Sequence, residues 1–298
     1  MFTDRKLIIF PIRLLRLNPN EEPEGVPYDD WLEIYSSVFI HSLILTDVSR
    51  GSFVQIARYA NERFKSSDET LRTSIYEQRL ALKELKPKSY RDNARITYWS
   101  RLEDRYDNII TSALGDVFAC YKGHDLIELL SENIVFDCKG VSSHFLRILI
   151  PLIIAKIYCY RLYNDQGNKP LHAIMVEEAE DIFGIKDHGG LLENPIDDMV
   201  RRVRGRGEFL IALNQTYTTL SRALRSNVYV QFMLGATNAT ERTEIGRSIG
   251  LREDQWKDAL NLDTPKAFVA IEGKMPLLVS IPEYKVTRNE PKKTNLIA

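Results

Sequence analysis

Apolar positions change their spacing along the chain, and the changes divide it. KLIIFPIRLLRL, residues 6–17, is a nearly continuous apolar run that predicts one or two short strands. NPNEEPEGVPYDD, residues 18–30, is dense in Pro, Gly, Asn and acid and predicts a loop. From Trp31 to about Leu85 the apolar residues recur at helical spacing, as in Trp31, Ile34, Tyr35, Val38 and Phe39. Asp47, Ser49 and Ser67 are candidate helix starts. A polar stretch at 83–106 keeps the helical pattern to about Tyr121, so 31–130 is predicted to be mostly helical.

The pattern then alternates. ENIVFDCKG (132–140) reads as a buried strand with its exit turn, and 142–163 as one long helix. HAIMVEE predicts a second strand, IDDMVRRVRGRG a helix, and EFLIALNQT (208–216) a third strand. YVQFMLG (229–235), two short helices and the hairpin KAFVAIEGKMPLLVSIP, with Gly273-Lys274 at its tip, complete the series. Apolar strands alternating with helices predict an α/β fold with a mostly parallel sheet covered by helices. Ligands of such sheets bind beyond the carboxyl ends of the strands.

Composition changes this picture little. With 40 basic and 41 acidic residues the chain carries no wholesale basic coat, although a local basic stripe is compatible with that balance. Cys120, Cys138 and Cys159 form no CxxC pair, which argues against a structural zinc or a disulfide framework and for a reducing compartment such as the cytoplasm. Residues 145–163, the most apolar stretch, contain Arg147, Pro151 and Lys156. That run falls short of the roughly 20 clean apolar residues of a membrane span and predicts a buried helix. No export signal is read at the start.

Candidate chemistry gathers at predicted strand ends. The strand at 173–176 runs into Glu177 and Glu178. One carboxylate there can hold hydrated magnesium, and a second can polarise a water beside a phosphate. The competing reading is a solvated pair that caps the next helix together with Glu180 and Asp181. The third strand ends in Asn214-Gln215-Thr216, where Gln215 can sense a γ-phosphate or simply finish the strand. RRVRGRG (201–207) offers Arg204 or Arg206 to phosphate, in a neighbouring subunit or along nucleic acid. Its other reading is a solvated helix face paired with Asp197 and Asp198, which Gly205 and Gly207 weaken. Asp137 ends a strand and reads as a turn residue when taken alone. GIKDHGG (184–190) resembles a phosphate loop only in its glycine content. No GxSxG elbow and no GxxxxGK[ST] occurs, so the chain holds no standard phosphate loop.

The order of five stretches resembles the HerA/FtsK branch of P-loop ATPases, especially HerA-like helicases and the ATPases of conjugative DNA transfer. RLNPN (16–20) resembles that family's RLNPL turn, and IVFDCKGV (134–141) its central strand. IMVEEAEDIF (174–183) is similar to the Walker B strand, with Glu180 at a position where the family often has His. VRGRGEFLIALNQT (203–216) is similar to GRKYGVGLILATQ, with Val203 and Asn214 as departures, and the closing hairpin also matches.

The resemblance implies a RecA-like core over 1–30 and 131–298, interrupted by a helical insertion at 31–130. It implies ATP and Mg2+ as cofactors, double-stranded DNA as partner, and a homo-hexameric ring acting as translocase or helicase, with a nuclease or a secretion or transfer machinery as a further partner. Glu177 would hold magnesium through water, Glu178 would activate the attacking water, and Gln215 would sense the γ-phosphate. Arg204, with Arg206 as alternate, would act across a subunit boundary, and Asp137 would lie on the cofactor side. The family's P-loop would fall upstream of residue 1. Either a longer gene product carries it, or it is lost, leaving a pseudo-ATPase or a scaffold subunit that completes a partner's ring.

Overall fold

Two short strands with alternating burial pair first. β1 (Leu7–Pro11) runs parallel to β2 (Asn133–Asp137), with Leu7 opposite Asn133 and Pro11 opposite Asp137. The computed structural model describes residues 7–64, 68, 71–87, 93–164, 172–184, 194–234, 239–260, 262 and 265–282, without the side chains of 93–95, 203, 204, 253, 257 and 260. The candidate start Ser67 and most of 184–190 lie outside these residues. Of the one or two strands expected in 6–17 there is one, β1, and it is followed by a 3-10 turn, Ile12–Leu14, whose Ile12 is buried.

Among the described residues of 28–129 every regular element is a helix. These are α1 (Tyr28–Ser42), α2 (Val48–Arg63), α3 (Ile75–Leu85), α4 (Asn93–Thr111), α5 (Ala113–Phe118) and α6 (Leu126–Leu129). α3 begins on a capping box: Ser74 Oγ accepts from the Tyr76 amide, and Glu77 accepts from the Ser74 amide at 2.9 Å. Aromatic rings fill the space between α1 and α2, with Tyr35 and Phe39 4.9 and 4.8 Å from Phe53.

α7 (Ser143–Tyr163) is apolar on nearly every side and is correspondingly buried. Ser142 Oγ caps it through the Phe145 amide, and Pro151 removes one donor in its middle. Buried Lys156 donates to the Glu21 carbonyl and lies 5.3 Å from the Trp31 ring centre. Burial lowers its ammonium pKa to about 8. No described helix is long and apolar enough to cross a membrane.

β3 (His172–Val176) and β4 (Glu208–Ala212) form a second parallel pair, His172 opposite Glu208 and Val176 opposite Ala212. Between them lie α8 (Glu180–Phe183), α9 (Pro195–Val203) and a 3-10 turn at Arg204–Arg206. Gly207 links that turn to β4 at φ +83°, a conformation glycine adopts without penalty. At the amino ends of this pair Glu208 is fully buried, 2.7 Å from Arg161 Nε and 2.8 Å from His172 Nδ1.

One face of both parallel pairs, including Phe10, Phe136, Ile174 and Leu210, packs on the core built around α1 and α7. The other face leaves Leu7, Ile9, Val135, Met175, Phe209 and Ile211 open, Met175 at 62% exposure and Phe209 at 46%. Among the described residues, helices pack on one face of the parallel strands and the apolar side chains of the other face are exposed.

Packing divides the chain into two units. The first comprises Met1–Asn214 and Thr219–Leu224; the second comprises Gln215–Thr218 and Arg225–Ala298. α10 (Arg222–Ser226) contains the last passage between them. In the second unit β5 (Val230–Met233), β6 (Lys266–Ile271) and β7 (Leu277–Ser280) make an antiparallel sheet, with Gly273 at φ +75° in the predicted hairpin turn. α11 (Ala239–Ile249) and α12 (Glu253–Leu260) supply Ile249 and Ala259 to a small core with Met233 and Phe268. The fold is thus α/β, with parallel pairs in one unit and an antiparallel sheet in the other.

Candidate functional site

The parallel pairing of β3 and β4 brings two of the expected strand ends together. The ladder continues past both strands: the Leu213 amide donates to the Val176 carbonyl at 2.9 Å, and the Ala179 amide to the Leu213 carbonyl at 3.0 Å. Glu177 and Glu178, both exposed, therefore stand beside Leu213 and Asn214. Glu178 adopts φ +49°, left-handed backbone that a residue with a Cβ occupies at a cost of roughly 1–2 kcal/mol. This sharp turn lets the chain leave β3 and enter α8 within three residues.

The other acids of this segment are tied down. Glu180 Oε2 accepts from Thr219 Oγ1 at 2.5 Å and from Asn214 Nδ2 at 3.4 Å. Asn214 Oδ1 in turn accepts from the Glu180 amide at 3.1 Å, and Asn214 Nδ2 lies 3.2 Å from Thr219 Oγ1. Asp181 Oδ1 receives Nε and one terminal nitrogen of Arg147 at 3.1 and 2.6 Å. Glu180 and Asp181 stand in the first turn of α8, as the helix-dipole alternative expects, although the N-cap itself, Ala179, makes no side-chain cap bond.

Gln215 follows Asn214 directly but groups with the second unit. There the loop after it is held by Glu241, in the first turn of α11 and only 5% exposed. Its Oε2 accepts from the amides of Tyr217 at 2.6 Å and Thr218 at 3.1 Å, and its Oε1 accepts from Thr218 Oγ1. Tyr217 is further fixed by Ser248, 2.5 Å from its hydroxyl, and by Arg225, 5.1 Å from its ring centre.

The arginine-rich segment lies at the opposite end of β4. Arg204–Arg206 precede the strand, roughly 20 Å along the chain direction from Asn214 at the usual strand rise. The side chain of Arg204 is outside the described set. Arg206 reaches the Leu162 carbonyl at 3.4 Å, at the carboxyl end of α7. Arg201 and Arg202 both bind Asp198, Arg202 at 2.7 Å, so for these two the solvated, acid-paired reading holds. Asp137 also behaves as a turn residue: its Oδ1 accepts from the Lys139 amide at 3.0 Å.

Glu180 and Glu241 were not candidates from sequence. Glu180 hid in an acidic run, and Glu241 bonds a loop more than twenty positions away. Among the described residues no cluster of three His, Cys, Asp or Glu side chains is arranged to hold a metal.

No family model matches the sequence, and no curated protein matches it. Solved structures do match. VirB4 of Thermoanaerobacter pseudethanolicus superposes with a TM-score of 0.67 at 12% identity, over 93% of this chain and 76% of that one. The bacterial conjugative coupling protein TrwBdeltaN70, in its unbound monoclinic form, gives 0.64 at 14% identity, over 97% of this chain and 77% of that one. This chain therefore shares its fold with these two proteins.

Proposed function

We propose that this chain belongs to a ring-forming ATPase, with a RecA-like core, that moves double-stranded DNA, and that it supplies the acid and sensor side of the nucleotide site. The observation that carries the reading is the junction of β3 and β4, where Glu177 and Glu178 lie against the Leu213–Asn214 end of the neighbouring strand, one residue before Gln215. The likeness of fold to VirB4 and to a conjugative coupling protein supports it.

Two exposed carboxylates fit magnesium bound with ATP. Magnesium keeps several waters and needs only one or two protein carboxylates besides the phosphates, so a cluster of three acids is not required. Bound ATP and magnesium would supply the phosphoanhydride and its charge neutralisation. Glu177 would hold the ion through water, and Glu178 would accept the proton of the attacking water. Gln215 would orient toward the terminal phosphate. Arg204 or Arg206, remote from these acids along β4, would serve a neighbouring subunit, and Asp137 would remain at the margin of the cofactor side. The 298 residues contain no GxxxxGK[ST], so the amides and lysine that cradle phosphates must come from other polypeptide. The uncovered apolar face of β1–β4 favours packing against such polypeptide.

That same motif absence favours a second reading, a catalytically silent scaffold that completes a partner ATPase ring. ATP turnover separates the two. Under the first reading Glu178→Gln in the full-length protein abolishes hydrolysis and leaves ATP binding intact; unchanged hydrolysis removes Glu178 from the mechanism. Under the second, the wild-type chain hydrolyses no ATP yet sediments as a ring or co-complex.

A further inference from the structure

We infer that the open face of β3 and β4 seats an amphipathic helix from another polypeptide, a helix that begins with a phosphate loop of the form GxxxxGK[ST] and points its amino end at Glu177. The inference rests on the reading of Glu177 as the acid that holds hydrated magnesium, and it names the partner surface which that reading requires.

The face has a definite order of side chains. Register sets Ala173 opposite Phe209 and Met175 opposite Ile211. The ladder bonds beyond the strands set exposed Glu177 beside Leu213. Side chains alternate along a strand, so 173, 175 and 177 share one face with 209, 211 and 213. Met175, Phe209, Ile211 and Leu213 are all exposed there. Ile174, Val176, Leu210 and Ala212, which alternate with them, pack into the core. Among the described residues, an apolar floor therefore runs along the pair and ends at its carboxyl edge in a carboxylate. All of these residues belong to the first unit.

Three properties select the occupant. Parallel strands in α/β proteins are covered by helices on both faces, because the crossovers between strands put helices there. From Ala173 to Glu177 the floor is about 13 Å long, which about nine helical residues span. Charge then sets the direction. A helix laid with its amino end at Glu177 brings the positive pole of its dipole to that acid, and the reverse orientation brings the negative pole. The same positive pole, with the amides of a glycine-rich loop, is what cradles phosphate, and the 298 residues contain no GxxxxGK[ST] to provide it.

The test uses the full chain and a synthetic peptide in which GxxxxGKS opens a helix with Leu and Ile at every third or fourth position. Peroxide oxidation of methionine reads the face. Met175 is 62% exposed, and Met275, also 62% exposed, lies in the second unit and serves as reference. Saturating peptide should slow oxidation of Met175 about tenfold and leave Met275 unchanged. A carbodiimide should join the lysine of the peptide loop to Glu177. Phe209→Lys should weaken binding of the labelled peptide about tenfold, and Ile211→Lys gives the same reading if that variant fails to fold. No protection of Met175 would overturn the proposal, as would equal protection by a peptide of the same composition in scrambled order. Protection that grows with the concentration of the chain alone, and that the peptide does not displace, would assign the face to a second copy and overturn it too. A complex with Met175 protected and Glu177 joined to the peptide, yet without ATP hydrolysis, supports the docking and counts against the ATPase reading alone.

Discussion

Arg161 Nε lies 2.7 Å from Glu208 Oε1, and the Glu208 side chain is wholly removed from solvent. The pair joins α7 to the amino end of β4, with His172 Nδ1 completing the carboxylate at 2.8 Å. Removing one partner leaves the other charge buried and alone, which costs about 3–5 kcal/mol. Urea unfolding of Glu208→Ala should show a loss of that size. The double variant Arg161→Met/Glu208→Leu should recover most of it, because an apolar replacement of both partners carries no stranded charge. A Glu208→Ala protein as stable as wild type would show that the pair contributes little to folding.

Lys156 predicts an alkaline gain in stability. Its folded pKa of about 8 lies below the ordinary 10.5, because burial penalises the ammonium. The unfolded chain therefore holds this proton more firmly, and stability rises with pH from about 8 toward 10.5 as the folded lysine becomes neutral. Glu21 and Glu22 face the ammonium and oppose the shift without cancelling it. Cys120 and Cys159, pushed up by burial to about 11 and 12, act in the opposite sense above their ordinary 9, so the informative window is about pH 8 to 9. Across it the unfolding free energy of wild type should gain about 1 kcal/mol relative to Lys156→Met. A constant difference would show that Lys156 does not titrate there.

Gly246 sits beneath the Trp256 ring, where an added Cβ would come within 2.6 Å of ring carbon. Gly246→Ala must displace that ring within a small core, at about 1–3 kcal/mol. The expected result is a red shift of Trp256 fluorescence and earlier unfolding of the second unit in urea. Trp31 and Trp99, buried in the first unit, should keep their emission through that early transition.

The open sheet face predicts association. Met175 and Phe209 are the most exposed of its described residues on β3 and β4, and contiguous apolar surface of this kind promotes contact with other chains. Sedimentation velocity of wild type should show concentration-dependent self-association, reduced in Met175→Lys/Phe209→Lys. Equal behaviour of the two proteins would mean that the face is not adhesive.

Much of this architecture was legible because its signals are local. The apolar run at 142–163, the strands at 172–176 and 208–212, and the Gly273 hairpin each follow from short-range spacing and turn chemistry. The capping box of Ser74 and Glu77 is equally local, whereas Ser67, the helix start that the pattern offers nearby, lies outside the described residues. The 3-10 turn at Ile12–Leu14 keeps the apolar composition of a strand and differs only in backbone, so pattern could not separate them. At the site, the two glutamates and the strand end at Asn214 were visible, since strand ends are where such folds place chemistry. The grips of Glu180 and Glu241 were not, because each joins residues more than twenty positions apart and neither spacing repeats.

The left-handed backbone at Glu178 carries a consequence for engineering. Glycine at that position would relieve roughly 1 kcal/mol of conformational cost while deleting the carboxylate. A library sorted purely for heat resistance should therefore enrich glycine at 178. If the proposed role of this side chain is right, the winners of such a screen will be the hardiest molecules and the idle ones.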